Sequence, residues 1–261
     1  MIAEAHGIAV GPLLEAVKTA GDVILEIYAR DFEVEYKGDD SPLTEADQKA
    51  NAVLMEFLSQ AHGEIPVISE ENKAIDYSER RDWEKFWLVD PLDGTKEFIK
   101  KNGEFTVNVA LVAGSEPILG VVYRPTTGTF HVGVVGEGSW RIDADGSEKK
   151  LEAGAHYKSL DRVTVVASRS HMSADVERFV EELKGEGKDV EFLSAGSSLK
   201  LCLVAEGEAD VYPRLGPTME WDTGAAHAVA LGAGRKVLNA ETLEPLAYNK
   251  ENLLNPFFIV E

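Results

Sequence analysis

Apolar positions recur at helical spacing near the start of the chain. Leu13, Leu14, Val17, Ile24, Leu25 and Tyr28 fall on one side of a cylinder that turns about every 3.6 residues, predicting a first helix. A second stripe, Ala46, Ala50, Val53, Leu54, Phe57 and Leu58, predicts another helix from about Thr44 to Leu58. The polar segment from Lys37 to Pro42, punctuated by Gly38 and Pro42, reads as the loop that leads into it. The pattern then changes to short apolar or β-branched runs: Pro66 to Ser69, Phe86 to Val89, Thr106 to Val112, Ile118 to Tyr123 and Thr129 to Val135. These predict a sheet. The Gly-containing stretch from Gly133 to Gly138 lacks the Lys-Ser/Thr ending of a phosphate-binding loop and reads as a hairpin turn. The polar stretch from Asp143 to Lys150 breaks the strand pattern, and beyond Leu160 a strand-like run, Val163 to Ala167, is followed by a helix-like one, Ala174 to Leu183. We therefore expect two lobes, 1–160 (α+β) and 161–261 (α/β), with a boundary near Leu160.

Composition narrows the partners. A chain of 261 residues with 44% hydrophobic residues can bury a sizeable core, in one large domain or in two lobes. Its formal charge of -20 argues against a nucleic-acid polymer or an anionic membrane surface as the main partner, because both are bound by clustered Lys and Arg. An anionic substrate then needs a local source of positive charge. The single cysteine, Cys202, excludes an intramolecular disulfide and points to a reducing compartment. The start of the chain lacks a basic, then apolar, signal pattern, and no run of about 18 apolar residues predicts a membrane span. A soluble, cytoplasmic protein is expected.

Candidate chemistry concentrates in carboxylates. Residues 87–98 read Trp-Leu-Val-Asp-Pro-Leu-Asp-Gly-Thr-Lys-Glu-Phe. Pro91 cannot donate to a strand ladder, so the chain is expected to leave the sheet there, with Asp90 at the strand end and Asp93 on the following turn. Gly94 and Thr95 then stand at a helix start, where unpaired backbone N–H groups favour an anion. A cation site beside a phosphate site results, and hard divalent cations such as magnesium suit such oxygen donors. The bland alternative is a turn capped by Asp93. Glu70 and Glu71 follow an apolar run, so one of them is placed at a strand end unless both are merely solvated. Asp47 lies near the Leu54 and Leu58 edge of its helix's apolar stripe, and Thr44-Glu45-Ala46-Asp47 resembles a capping box. Asp222 precedes the small-residue run Thr223 to Ala228, where N-capping is the simplest local reading.

At these residues the chain resembles the inositol monophosphatase superfamily of lithium-sensitive, magnesium-dependent phosphatases. The first family signature matches Trp87 through Phe98, the second matches around Trp221-Asp222, and Glu70-Glu71 precede them in the family's order. The resemblance implies an αβαβα layered sandwich with the active site between the lobes. It also implies Glu70, Asp90, Asp93 and Asp222 as metal ligands, with the Leu92 main-chain carbonyl, for about two or three Mg2+ ions, most of these ligands lying in the N-terminal lobe. Gly94 and Thr95 would hold the phosphate. Glu70, Thr95 and Asp47 would orient and deprotonate the attacking water, while Asp90, Asp93 and Asp222 would hold a cation at the departing oxygen. Such cations reverse the local sign of a carboxylate cluster and polarise phosphoryl oxygens. One departure is Gly224, where the second signature more usually has Ala or Cys, and it bears on local packing.

Within the superfamily, residues 196–207 and 212–218 look like those of the CysQ-type 3'(2'),5'-bisphosphate nucleotidases. This resemblance implies conversion of adenosine 3',5'-bisphosphate to AMP and phosphate, and with it a place in sulfur assimilation. A second phosphate needs cationic or hydrogen-bonding groups away from the metals; Ser197, Lys200 and Arg214 could supply them. By the same resemblance Asp222 and His171 join the substrate contacts, His171 at the base or ribose. The competing readings are an inositol or broader sugar phosphatase with the same metal chemistry, and a non-catalytic metal or nucleotide sensor.

Overall fold

The structure, a computed structural model, describes residues 2–36, 42–72, 75–167 and 173–261. A two-residue hairpin, β1 (Glu4–Ala5) and β2 (Ile8–Ala9), precedes helix α1 (Val10–Tyr28). Strands β3 (Val34–Tyr36) and β4 (Pro42–Thr44) pair antiparallel and lead to helix α2 (Glu45–His62). Residues 37–41 of the expected loop lie outside the described residues. There follow β5 (Val67–Ser69), the short helix α3 (Tyr77–Arg80), β6 (Lys85–Asp93) and the short helix α4 (Thr95–Ile99). Strands β7 (Thr106–Ala113), β8 (Glu116–Arg124), β9 (Thr129–Val134), β10 (Gly138–Ile142) and β11 (Glu148–Leu151) complete a seven-stranded sheet of order β11-β10-β9-β8-β7-β6-β5. It is antiparallel except for the β5–β6 pair.

The second half contributes β12 (Arg162–Ala167), α5 (Ala174–Gly185), β13 (Asp189–Ser194), α6 (Leu199–Glu206), β14 (Tyr212–Arg214), α7 (Glu220–Gly232), β15 (Val237–Asn239) and β16 (Phe258–Val260). β12 and β13 pair in parallel, β14-β16-β15 form a three-stranded sheet, and a bridge from Val165 to Val211 joins the two groups.

Alternation along the central strands explains the layering. Trp87 and Val89 of β6 and Val107, Val109 and Leu111 of β7 pack under α1 and α2 with Leu13, Val17, Ile24, Leu54 and Leu58. The opposite parity, Phe86, Leu88, Ala110 and Val112, packs under α6 and α7 with Leu201, Val204, Ala226 and Val229. A third cluster, including Val163, Val165, Val180 and Leu183, sits beneath α5. The order is helices, sheet, helices, sheet, helix: the expected αβαβα sandwich. Apolar burial on both faces of the central sheet, at about 25 cal/mol per Å², is the main cohesive term.

Close approach requires glycine where α7 crosses the sheet. A Cβ on Gly120 would lie 2.1 Å from the Ala225 carbonyl oxygen, and one on Gly133 2.4 Å from Val229 Cα. Gly224 is explained locally: an added Cβ would meet Leu88 Cδ2 at 2.9 Å, so a leucine tip occupies the room that an Ala or Cys would need.

Two sequence expectations change. Pro91 does not end β6, because the ladder steps from Asp90↔Asn108 to Asp93↔Thr106 across a bulge, where no Pro91 N–H is required. The polar stretch from Asp143 onward does not end the sheet either. It holds the turn between β10 and β11 and most of β11 itself, whose side chains are mostly exposed and carry no alternating apolar signal. The Gly133 to Gly138 stretch is a hairpin, with Gly136 at φ +89° in its turn.

Candidate active site

The parallel pair β5–β6 brings Glu70 and Asp90 together. Ser69 is in register with Val89, and the Glu70 N–H donates to the Val89 carbonyl at 3.1 Å, so Glu70, just past the end of β5, stands beside Asp90 at the β6 bulge. Asp90 has the parity of Phe86 and Leu88 and therefore faces α7, whose first turn carries Asp222. Oxygens of Glu70, Asp90 and Asp222 lie within 4.8 Å of one another. Asp222 is not the N-cap: α7 begins at Glu220, and Asp222 Oδ2 accepts the Met219 N–H at 2.8 Å. One oxygen caps the helix, so its partner is left for the cluster.

The same division recurs at Asp47. Its Oδ2 accepts the Thr44 N–H at 2.7 Å and the Thr44 hydroxyl at 2.6 Å, completing the expected capping box. Its Oδ1 meets the Thr95 hydroxyl at 3.3 Å, and that hydroxyl also lies 3.4 Å from the Leu92 carbonyl. Asp93 Oδ2 accepts the Ser198 N–H. Gly94, at φ +93°, makes the left-handed step between Asp93 and α4, and a Cβ there would press on the Glu104 carbonyl at 3.1 Å.

Burial and neighbouring charge raise the aspartates of the site. Burial, then the charges of Glu70, Asp93 and Asp222, hold Asp90 well above the usual carboxylate range. Burial followed by the Asp93 charge pushes Asp222 up to about 8. Burial raises Asp93 to about 6, against the pull of Lys200 and of the Ser198 N–H. Asp47 is also raised, by burial, although its Thr44 hydrogen bonds oppose the shift. The residues fit a hard cation. Asp90 Oδ1 accepts the Leu92 N–H at 3.0 Å, but its buried Oδ2 has no hydrogen-bond partner among the described residues. Buried polar atoms are rarely left so. An all-oxygen donor set with one orphaned carboxylate oxygen is what a divalent cation of the magnesium type satisfies.

These shifts predict a pH signature for metal-stripped protein. Raised acids bind more protons folded than unfolded, so stability should be greatest below the unfolded carboxylate range and fall as pH rises through the folded values, about 6 for Asp93 and about 8 for Asp222. In EDTA, the thermal midpoint should fall from pH 5.5 to pH 8.5, and millimolar Mg2+ should restore it at the alkaline end. A flat profile in EDTA would remove the mutually repelling cluster.

Beside the acids opens a cavity of about 530 Å³, lined among others by Asp93, Gly94, Ser197, Lys200, Arg214 and Asp222. Lys200 is 9% exposed, donates to the Ser197 carbonyl at 2.7 Å, and is held down to about 8 by burial despite Asp93 nearby. Arg214 Nη2 donates to the Pro217 carbonyl at 2.7 Å, while its buried Nε has no partner among the described residues. Ser197 is left-handed, at φ +47°. The structure thus brings the sequence-predicted residues to one cleft, except His171, which lies outside the described residues. Sequence reasoning missed Ser198, whose backbone N–H reaches Asp93, and the Thr106 and Asn108 side chains beneath it. A signal existed for the last two, since Thr106 and Asn108 are the polar residues of an otherwise apolar strand.

Comparison with known proteins identifies the family. The model of the inositol monophosphatase family matches residues 10–256. The 3'(2'),5'-bisphosphate nucleotidase CysQ of Escherichia coli O157:H7 is 45% identical over 249 residues, 94% of this chain and 96% of the relative. That of Salmonella typhimurium is 43% identical over the same shares. The crystal structure of CysQ from Bacteroides thetaiotaomicron, described as a bacterial member of the inositol monophosphatase family, superposes with a TM-score of 0.84 at 44% identity, covering 97% of both chains.

Proposed function

We propose, on the premise that this chain belongs to the inositol monophosphatase family, that it is a 3'(2'),5'-bisphosphate nucleotidase hydrolysing adenosine 3',5'-bisphosphate to AMP and phosphate. The observation that carries the phosphatase half is the Glu70, Asp90 and Asp222 oxygen cluster with its orphaned Asp90 Oδ2 beside the Asp47–Thr95 contact. The substrate half is supported by the near-full-length identity to CysQ relatives and by a cavity that gathers Lys96, Lys100, Lys200 and Arg214 in a chain of charge -20.

Glu70, Asp90, Asp93 and Asp222, with the Leu92 carbonyl, would hold the cations, which we take to be two or three Mg2+. Bound there, they supply charge neutralisation and phosphoryl polarisation. The chain's own residues do the rest. Water attacks phosphorus in line as the bond to the ribose oxygen breaks, and the departing oxygen takes up a proton from solvent. The water's proton passes through the Thr95 hydroxyl to Asp47, whose raised affinity suits a base, while Glu70 orients the water. The positive ends of Lys200 and Arg214 meet the phosphate that is not cleaved, and Ser197 adds a hydroxyl. No residue becomes phosphorylated. The lobes 1–160 and 161–261 then divide the labour, the first holding most cation ligands and the second contributing Asp222 and the specificity residues. No helix among the described residues is long and apolar enough to cross a membrane, and the unpaired buried thiol of Cys202 suits the reducing cytoplasm, where we place the enzyme.

Parallel kinetics test the reading. With Mg2+ present, kcat/KM on adenosine 3',5'-bisphosphate should exceed that on inositol 1-phosphate by at least about a hundredfold, from the one or two charge-assisted contacts that only the larger substrate makes. Equal turnover would favour a broad sugar phosphatase, and Mg2+-dependent binding without phosphate release a sensor.

A further inference from the structure

Asn108 stands directly opposite Asp90 in the β6–β7 ladder and faces the same side, the core beneath α6 and α7. It is fully buried. Its Oδ1 accepts the Ser198 hydroxyl at 2.8 Å, and the Thr106 hydroxyl lies 2.9 Å from that same Ser198 oxygen and 3.4 Å from Ser197 Oγ. The Ser198 N–H in turn donates to Asp93 Oδ2. One buried amide therefore lies beside Asp90 on the sheet and, through one serine, is tied to Asp93. Its Nδ2 has no hydrogen-bond partner among the described residues, a cost that an apolar side chain of similar shape in this strand would avoid.

We infer that Asn108, acting through Ser198, is a positioning residue that fixes which Asp93 oxygen faces the cation site and couples it to the Ser197–Ser198 turn at the substrate cavity. The three hydroxyl and amide groups span the cleft, since Thr106 and Asn108 belong to the central sheet and Ser198 immediately precedes α6. With Oδ2 already accepting the Ser198 N–H, Asp93 is oriented so that Oδ1 is the oxygen with both lone pairs to offer a cation. Ser197 is held left-handed with its carbonyl under the Lys200 ammonium, so the same link sets the placement of Lys200 and the Ser197 hydroxyl. The coupling joins the half of the site that holds cations to the half that selects substrate.

The inference rests on the phosphatase reading, and its test includes a measurement that needs no turnover. Asn108→Leu and Ser198→Ala each remove the shared hydrogen bond while Ser198→Ala keeps the backbone N–H. Each single variant should lower kcat/KM on adenosine 3',5'-bisphosphate about tenfold and weaken Mg2+ binding by calorimetry severalfold. The double variant should lose no more than the worse single one, because the same link is cut twice. Losses that multiply, losses below twofold, or activity that falls only in step with the folded fraction read by circular dichroism would each overturn the coupling. If wild-type protein binds Mg2+ yet releases no phosphate, the enzymatic reading fails instead, and the calorimetric cycle alone then decides the coupling.

Discussion

Asp90→Asn is expected to cost turnover on the order of a thousandfold or more while leaving the fold intact or slightly more stable. The geometry separates the two effects. Asp90 Oδ1 accepts the Leu92 N–H, a bond that the amide oxygen of Asn can keep, whereas the orphaned Oδ2 would become an NH2 group that cannot ligate a cation. Meanwhile, a buried carboxyl whose ionisation Glu70, Asp93 and Asp222 oppose would be gone. Replacing it by a neutral amide of the same shape removes the cost of ionising it as pH rises. In EDTA, the thermal midpoint of the variant should therefore equal or exceed that of the wild type, and Mg2+ should raise it much less. Activity within tenfold of wild type at saturating substrate and ordinary Mg2+ would take Asp90 out of the cation site. A midpoint collapse in EDTA would instead make it a structural residue.

The same residues show what a sequence can disclose. Long periodic stretches were legible: α1, α2 and the strands β5, β7, β8, β9 and β12 appear close to their predicted bounds because their apolar residues are buried in the core. β10 and β11 were not, since Trp140, Arg141, Ile142 and the lysines after them are half-exposed or exposed and present no clean alternation. Pro91 misled for a definite reason. The rule that proline leaves a ladder is sound, but a bulge lets the strand resume at Asp93. In the site, the choice between capping and a part in the chemistry that Asp47 and Asp222 pose in the sequence is no longer exclusive once atoms are visible, because each carboxylate spends one oxygen on its helix start. Ser198 could not be read at all. Its contribution is a backbone N–H delivered across about a hundred residues of chain, and local sequence does not encode such a meeting.

Arg214→Ala should damage hydrolysis of adenosine 3',5'-bisphosphate by about tenfold to a hundredfold in kcat/KM, and hydrolysis of a small monophosphate such as inositol 1-phosphate by far less. Arg214 ends β14 at the cavity wall. Its Nη2 is tethered to the Pro217 carbonyl at 2.7 Å, which fixes the guanidinium plane, and its buried Nε is left without a partner among the described residues. A donor held in place and unsatisfied is preorganised for phosphate oxygens, and the planar fork can give two parallel hydrogen bonds. Charge alone is not the whole role, so Arg214→Lys should recover only part of the loss. A long-range effect must also be separated, because the Arg214 charge opposes the upward shift of Asp222. If removing it acted mainly through Asp222, both substrates would suffer alike and the loss would shrink as pH rose above 8. A loss confined to the bisphosphate and constant across that range assigns Arg214 to the phosphate that is not cleaved. Equal losses on both substrates would make it a general part of the machinery and withdraw its support for a nucleotide substrate.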